Sequence, residues 1–143
     1  MSNVSYQTAI ELKESGLLHS TPQPGMMFYL GNTLCMLCCI RHGGVGMELQ
    51  AVGSSEKYYP GKEQLSIIST FAPSLEYITA HFPPGEWSLD IWDGRHSCKF
   101  ENEETILRTQ ADNFAEAAAL VYLSLKQNAP GQTFVQPGDA KQE

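Results

Sequence analysis

The segment Cys35-x-x-Cys38-Cys39-x-x-His42 holds residue types that could bind a metal or run redox chemistry. Thiolate and imidazole are the donors zinc prefers, four of them at about 2.0–2.3 Å. On a helix the four residues would line one face. On a strand they split: Cys35 and Cys39 point one way, Cys38 and His42 the other, and each pair lies about 13 Å apart at about 3.3 Å per residue. Gly31-Asn32 and Gly43-Gly44 bracket the segment with turn chemistry and favour the strand. The cysteines are therefore expected to be small buried apolar side chains. A metal site of Cys35, Cys38, Cys39 and His42 is the alternative. No second paired-cysteine motif completes it, and Cys98 stands alone. A secreted disulfide framework spreads its cysteines along the chain, so this crowding reads as free thiols in a reducing cytosol.

Other chemistry is thinner. His19, His42, His81 and His96 are scattered, without carboxylates at metal-motif spacing. No Gly-x-Ser-x-Gly is present, and Gly43-Gly44-Val45-Gly46 lacks the lysine of a phosphate loop and reads as a hairpin tip. Glu101, Glu103, Glu104 and Asp112 gather at a turn and a helix cap. Paired carboxylates can do acid–base work or hold Mg²⁺, but here a solvated hairpin tip is the simpler reading. No catalytic residue and no cofactor is expected. The aromatic residues carry more information. Trp87 is expected in the core and Trp92, beside Asp90, on the opposite face; Tyr58 and Tyr59 sit in a polar loop. Trp92 is exposed unless the N-terminal half or a partner chain covers that face, and burial within the chain is the first reading. An exposed tryptophan would mark an interface, which makes Trp92, Tyr58, Tyr59 and Asp90 the interface candidates.

The elements that position these residues belong to an α+β fold. Ser5 to Ser15 reads as a short amphipathic helix capped by Ser5 and closed by Gly16. Met26–Leu30, Thr33–His42 and Val45–Val52 read as a meander of antiparallel strands, 53–64 as a loop, and Leu65–Thr70 as a strand or extended lead-in. Pro73-Ser74 starts a two-turn helix, with Leu75, Ile78 and Phe82 inward, that Pro83-Pro84 stops. Glu86–Trp92 and Arg95–Glu101 alternate around Asp93-Gly94, a hairpin turn in which both residues take positive φ. Glu104–Gln110 is the third strand of this half, with Asn102-Glu103 as the turn before it. Asp112 to Gln127 is a helix capped by Asp112 or Asn113, with Asn113 and Glu116 at capping-box spacing and Phe114, Ala117, Ala118, Val121 and Leu125 as its buried stripe. Two antiparallel meanders packed by about three helices result, the C-terminal half being helix, three strands, helix.

The chain of 143 residues fits one domain over 1–128, with subdomains 1–64 and 65–128 as a further division and 129–143 as a flexible Pro/Gly-rich tail. Its formal charge of −7 argues against non-specific binding to nucleic acid or anionic membrane. No 18-residue apolar run and no basic-then-apolar leader occurs, so a cytoplasmic protein of a bacterial host cell is expected.

The order Phe71-Ala72-Pro73-Ser74-Leu75 … Phe82-Pro83, a Trp-bearing hairpin, then Ala115-Glu116-Ala117-Ala118-Ala119-Leu120 … Leu123-x-Leu125-Lys126 resembles a group of small uncharacterised phage and prophage proteins of gut Bacteroidetes. Glu11-Leu12-Lys13-Glu14-Ser15-Gly16-Leu17 fits the same pattern, which spans most of Ser5 to Asn128. Cys38-Cys39 is not part of it. The resemblance implies a source and a fold type, and no site. The expectation is a non-enzymatic accessory or protein-interaction protein that binds a protein partner or itself. The alternatives are an acidic polyanion mimic that inhibits a host nucleic-acid-binding or defence protein, and a small Cys/His metal-binding protein.

Overall fold

The computed structural model describes residues 3–17, 22–40, 46–61, 64, 65 and 68–127. They form two compact units, one of Ser5–Pro73 and one of Ser74 onward together with Asn3 and Val4. The fold is α+β, with three helices and two antiparallel sheets followed through the described residues. No helix among them is long and apolar enough to cross a membrane.

The first unit opens on helix α1, Tyr6–Glu14. The Ser5 hydroxyl accepts the Thr8 amide at 3.2 Å, filling one of the donors a helix start leaves open. Gly16 takes φ +100° just past the end, and the Leu17 amide returns to the Leu12 carbonyl at 3.0 Å, which buries Leu17. Strands β1 (Met27–Leu30), β2 (Thr33–Ile40), β3 (Met47–Ala51), β4 (Lys57–Tyr58) and β5 (Ser69–Ala72) make one sheet in the order β4-β3-β2-β1-β5. The expected meander is its centre. β5 pairs antiparallel with β1, which sets Phe28 opposite Phe71 with ring centroids 5.6 Å apart.

Two local expectations for this unit need correction. The 53–64 loop contains β4, held to β3 through Leu49↔Tyr58 and Gln50↔Lys57. A pairing of two residues is too short to leave a period in the sequence. The expected strand over Leu65–Thr70 begins only at Ser69 and runs on to Ala72. Gln64, Leu65 and Ile68 are helical: the Leu65 amide donates to the Gly61 carbonyl and the Ser69 hydroxyl to the Leu65 carbonyl.

The second unit holds α2 (Leu75–Ala80), β6 (Glu86–Trp92), β7 (Arg95–Glu101), β8 (Ile106–Ala111) and α3 (Phe114–Gln127). Ser74 caps α2 by accepting the Tyr77 amide at 3.1 Å. Asn113 caps α3 by accepting the Glu116 amide at 2.8 Å, while its own amide donates to the Asn3 carbonyl. The three strands lie in the order β6-β7-β8. Asp93 (φ +56°) and Gly94 (φ +79°) form the hairpin turn with both residues at positive φ. Asn102 builds the next turn, its side-chain carbonyl accepting the Glu104 and Thr105 amides.

α3 lies over β7 and β8, with α2 against it. Phe100, Cys98, Leu107 and Thr109 point into that layer and are fully buried. The Thr109 hydroxyl is satisfied by the Ala117 carbonyl at 2.6 Å. Flanked by a sheet and a second helix, α3 buries more than the expected stripe: Ala115, Ala119, Tyr122, Leu123 and Ser124 are buried as well, and Phe114 and Leu125 are half-buried.

Gly85, between Pro84 and β6, takes φ +157°. A Cβ there would sit 2.7 Å from the Phe100 ring and 2.9 Å from the Glu101 carbonyl oxygen. Gly85→Ala is expected to cost about 1–3 kcal/mol by denaturant unfolding, from backbone strain and overpacking together. Gly94→Ala, also at positive φ but with open space around it, should cost less.

Candidate functional site

β6 is an edge strand of seven residues, of which all but the half-buried Leu89 are exposed. Its register with β7 is unbroken from Glu86↔Glu101 to Trp92↔Arg95. Partners in register share a face. Trp87, Leu89 and Ile91 therefore lie on the side of Phe100, Cys98 and His96, the helix-covered side. Glu86, Ser88, Asp90 and Trp92 lie on the other.

The expectation that Trp87 is a core residue is overturned: it is 43% exposed, and Ile91 is 59% exposed. Both face the right way, but the helix layer lies over β7 and β8 and does not extend over β6. Trp87 gains one wall, the edge-on ring of Phe82 at 6.1 Å, which in turn meets Phe100 at 5.7 Å.

On the outer side Trp92 is 39% exposed, and Arg108 joins it to Asp90. The Arg108 guanidinium lies 4.5 Å from the centre of the Trp92 ring, 3.3 Å from the Asp90 carboxylate and 2.9 Å from the Ser97 hydroxyl to which it donates. Gln110 donates to the Trp92 carbonyl at 3.0 Å. Ser97 beneath this group is fully buried. Arg108 and Ile106, itself 46% exposed on the same face, were missed in the sequence. β8 alternates, so both could have been assigned to that face once β7 and β8 were paired.

Tyr58 and Tyr59 belong to the other unit. Tyr58 pairs with Leu49 across β3 and its hydroxyl meets Glu56 at 3.2 Å; Tyr59 is 56% exposed.

The cysteine cluster departs from regular strand geometry. The register between β2 and β3 runs Cys35↔Ala51 and Leu37↔Leu49, then skips to Cys39↔Glu48. Cys38 is thus the extra residue of a bulge. Ala51 and Leu49 face the core and Glu48 faces away, so Cys35 and Cys39 point to opposite sides and not, as simple alternation predicted, to the same one. Cys35 is buried, Cys38 half-buried and Cys39 exposed, all as free thiols. His42 lies outside the described residues, as do His19 and the 129–143 tail. Among the described residues no three His, Cys, Asp or Glu side chains gather as a metal site. Glu86, Glu101, Glu103 and Glu104 line a shallow open cleft with Pro83, Pro84, Gly85 and Asn102. They sit around the turn that the sequence marked as a solvated tip.

No family model matches the chain, and neither a curated protein nor a solved structure does.

Burial pushes the Cys98 thiol up to about 12, with the nearby Asp90 carboxylate adding to the shift. A buried thiol whose pKa is raised keeps its proton in the fold and loses it first in the unfolded chain. Its stabilising effect is complete below the unfolded value of about 8.5 and is lost as pH rises from there toward 12. Unfolding free energy should fall by up to about 1.4 kcal/mol per pH unit over that window, and less steeply in Cys98→Ala. Parallel denaturation series of the two proteins at pH 8 and above check this. A thiol reagent at neutral pH should modify Cys39 in the native protein and reach Cys98 only after unfolding.

Proposed function

We propose that this chain is a non-enzymatic protein-interaction protein, an accessory protein of a phage or prophage, with β6 as its binding surface. The observation that carries the reading is a full-length edge strand that presents Trp87, Ile91 and Trp92 to solvent. Aromatic anchors held on a regular element bind with little loss of side-chain freedom, and they dominate interface energetics. Arg108 adds a charged group already stacked on one anchor. The acidic balance of −7 favours partners with basic or neutral surfaces over nucleic acid. The source is supported by the pattern of the capped opening helix, the Trp hairpin and the alanine-rich helix.

Site-directed photo-crosslinking in bacterial cells tests the reading. A photoreactive benzophenone side chain at Ile91 or Trp92 is expected to give discrete higher-mass adducts. The same group at Glu76, on the exposed side of α2, is expected to give none. Adducts of equal yield at all three positions, or none at β6, would overturn it.

A further inference from the structure

We propose that β6 pairs with β6 of a second copy of this chain, antiparallel and centred on Leu89, so that two three-stranded sheets join into one of six strands. The inference rests on the reading of β6 as the binding surface and names its occupant.

The first support is the direction of the backbone groups. A two-residue turn with both φ values positive closes on a hydrogen-bonded pair, here Trp92 and Arg95. In an antiparallel ladder such pairs alternate with pairs that do not bond each other. Trp92, Asp90, Ser88 and Glu86 thus aim their N–H and C=O groups at β7. Trp87, Leu89 and Ile91 aim theirs at the open edge. The outward backbone groups therefore belong to the same three residues that carry the apolar face.

The second support is self-complementarity. A two-fold axis at Leu89 sets Leu89 against Leu89 of the copy and Trp87 against Ile91. Every outward amide then meets an outward carbonyl, and every pair on the helix-side face is apolar. On the other face Ser88 meets Asp90 and Glu86 meets Trp92, so no like charges oppose each other across the junction. Aromatic–β-branched pairs such as Trp87–Ile91 are among the favourable cross-strand combinations.

The third support is the contrast with the other sheet edges. Proteins blunt open edges with lysine, proline, bulges or very short strands. β4 has two residues, one of them Lys57, and is followed by Pro60. β5 has four, stops before Pro73 and packs against α1. β8 carries Arg108 in its middle. β6 has no lysine, no proline and no bulge along its seven residues; its two charged residues, Glu86 and Asp90, lie on the face away from the helices, and Asp90 is paired with Arg108. Pairing along one strand covers less than the ~800 Å² per partner of a standard interface, so the dimer should form in a roughly micromolar range.

Sedimentation equilibrium of the full chain across micromolar to millimolar concentration is the first test. The expected result is a reversible rise from the 15.8 kDa monomer to twice that mass. Ile91→Lys puts a charge on an exposed position opposite Trp87 of the copy and should weaken association about 10-fold or more. Glu76→Lys, the control on α2, should not. Amide hydrogen exchange by NMR supplies a readout that needs no substitution. The amides of Trp87, Leu89 and Ile91 should gain protection as concentration rises, while those of Ser88, Asp90 and Trp92 stay protected throughout. A monomer at every concentration, or a dimer in which those three amides exchange freely, overturns the pairing. If the monomer still gives β6 adducts with a different chain in cells, the binding reading stands without self-pairing. If β6 gives no adduct of any kind, both fall.

Discussion

A helix with its side chains is about 10 Å across, and neighbouring strands lie about 4.8 Å apart. One helix therefore roofs about two strands. The sheet of the second unit has three, and α3 sits over β7 and β8. The consequences for β6 follow from that mismatch. Its helix-side residues are aimed at a layer that ends before it reaches them. Phe82, at the end of α2, extends the layer by one ring and gives Trp87 a partner, but Ile91 has no such extension and is left 59% exposed. Phe100 is the hinge of this arrangement. It is fully buried, touches Phe82 and lies over Gly85, whose missing side chain lets the chain turn beneath the ring into β6.

The outer face solves a different problem with polar groups. Trp92 would be a loose exposed ring at the hairpin end if nothing held it. Arg108 reaches diagonally across β7, lies on the ring and ties to Asp90 and Ser97. The Arg108–Asp90 pair, with Asp90 half exposed, is worth little as a salt bridge by itself. A cation over an indole face adds about 0.5–1 kcal/mol at exposed sites. The larger effect is on geometry: the guanidinium fork is planar, and three simultaneous contacts fix one orientation of both side chains. A ring already ordered in the free protein loses less freedom when a partner covers it.

How far this was legible in the sequence depends on whether the signal was local. The Asp93-Gly94 turn, the caps at Ser5, Ser74 and Asn113, and the meander order all come from residues within a few positions of each other, and each was readable, the last cap as one of two neighbours, Asp112 or Asn113. Alternation along Glu86–Trp92 correctly sorted Trp87 and Trp92 to opposite faces. It could not say whether a face is covered, because coverage depends on how wide the helix layer is, and Trp87 was misplaced for that reason. The bulge at Cys38 failed differently. Regular alternation assumes an unbroken register, and one extra residue turns everything after it to the other face. Nothing in Cys38-Cys39 marks that residue, since the skip is defined by the partner strand at Leu49 and Glu48. β4 and the helical turn before Ser69 are too short to carry a period at all.

The same distinction separates chemistry from architecture in this chain. Serine, threonine and asparagine are the residue types that could serve a reaction, and several of the described ones are committed to backbone groups instead. Ser5, Ser74 and Asn113 fill helix starts, Asn102 builds a turn, and Thr109 satisfies a carbonyl of α3. The buried thiols go the same way: burial raises both Cys35 and Cys98, which lowers the thiolate fraction on which nucleophilic or metal-binding use depends. Functional sites more often pull thiols down by placing them near positive charge. Asp90 acts in the opposite direction on Cys98. Polar groups of the second unit that do face solvent include the Asp90 carboxylate held by Arg108 beside Trp92 and the glutamates around the Asn102 turn.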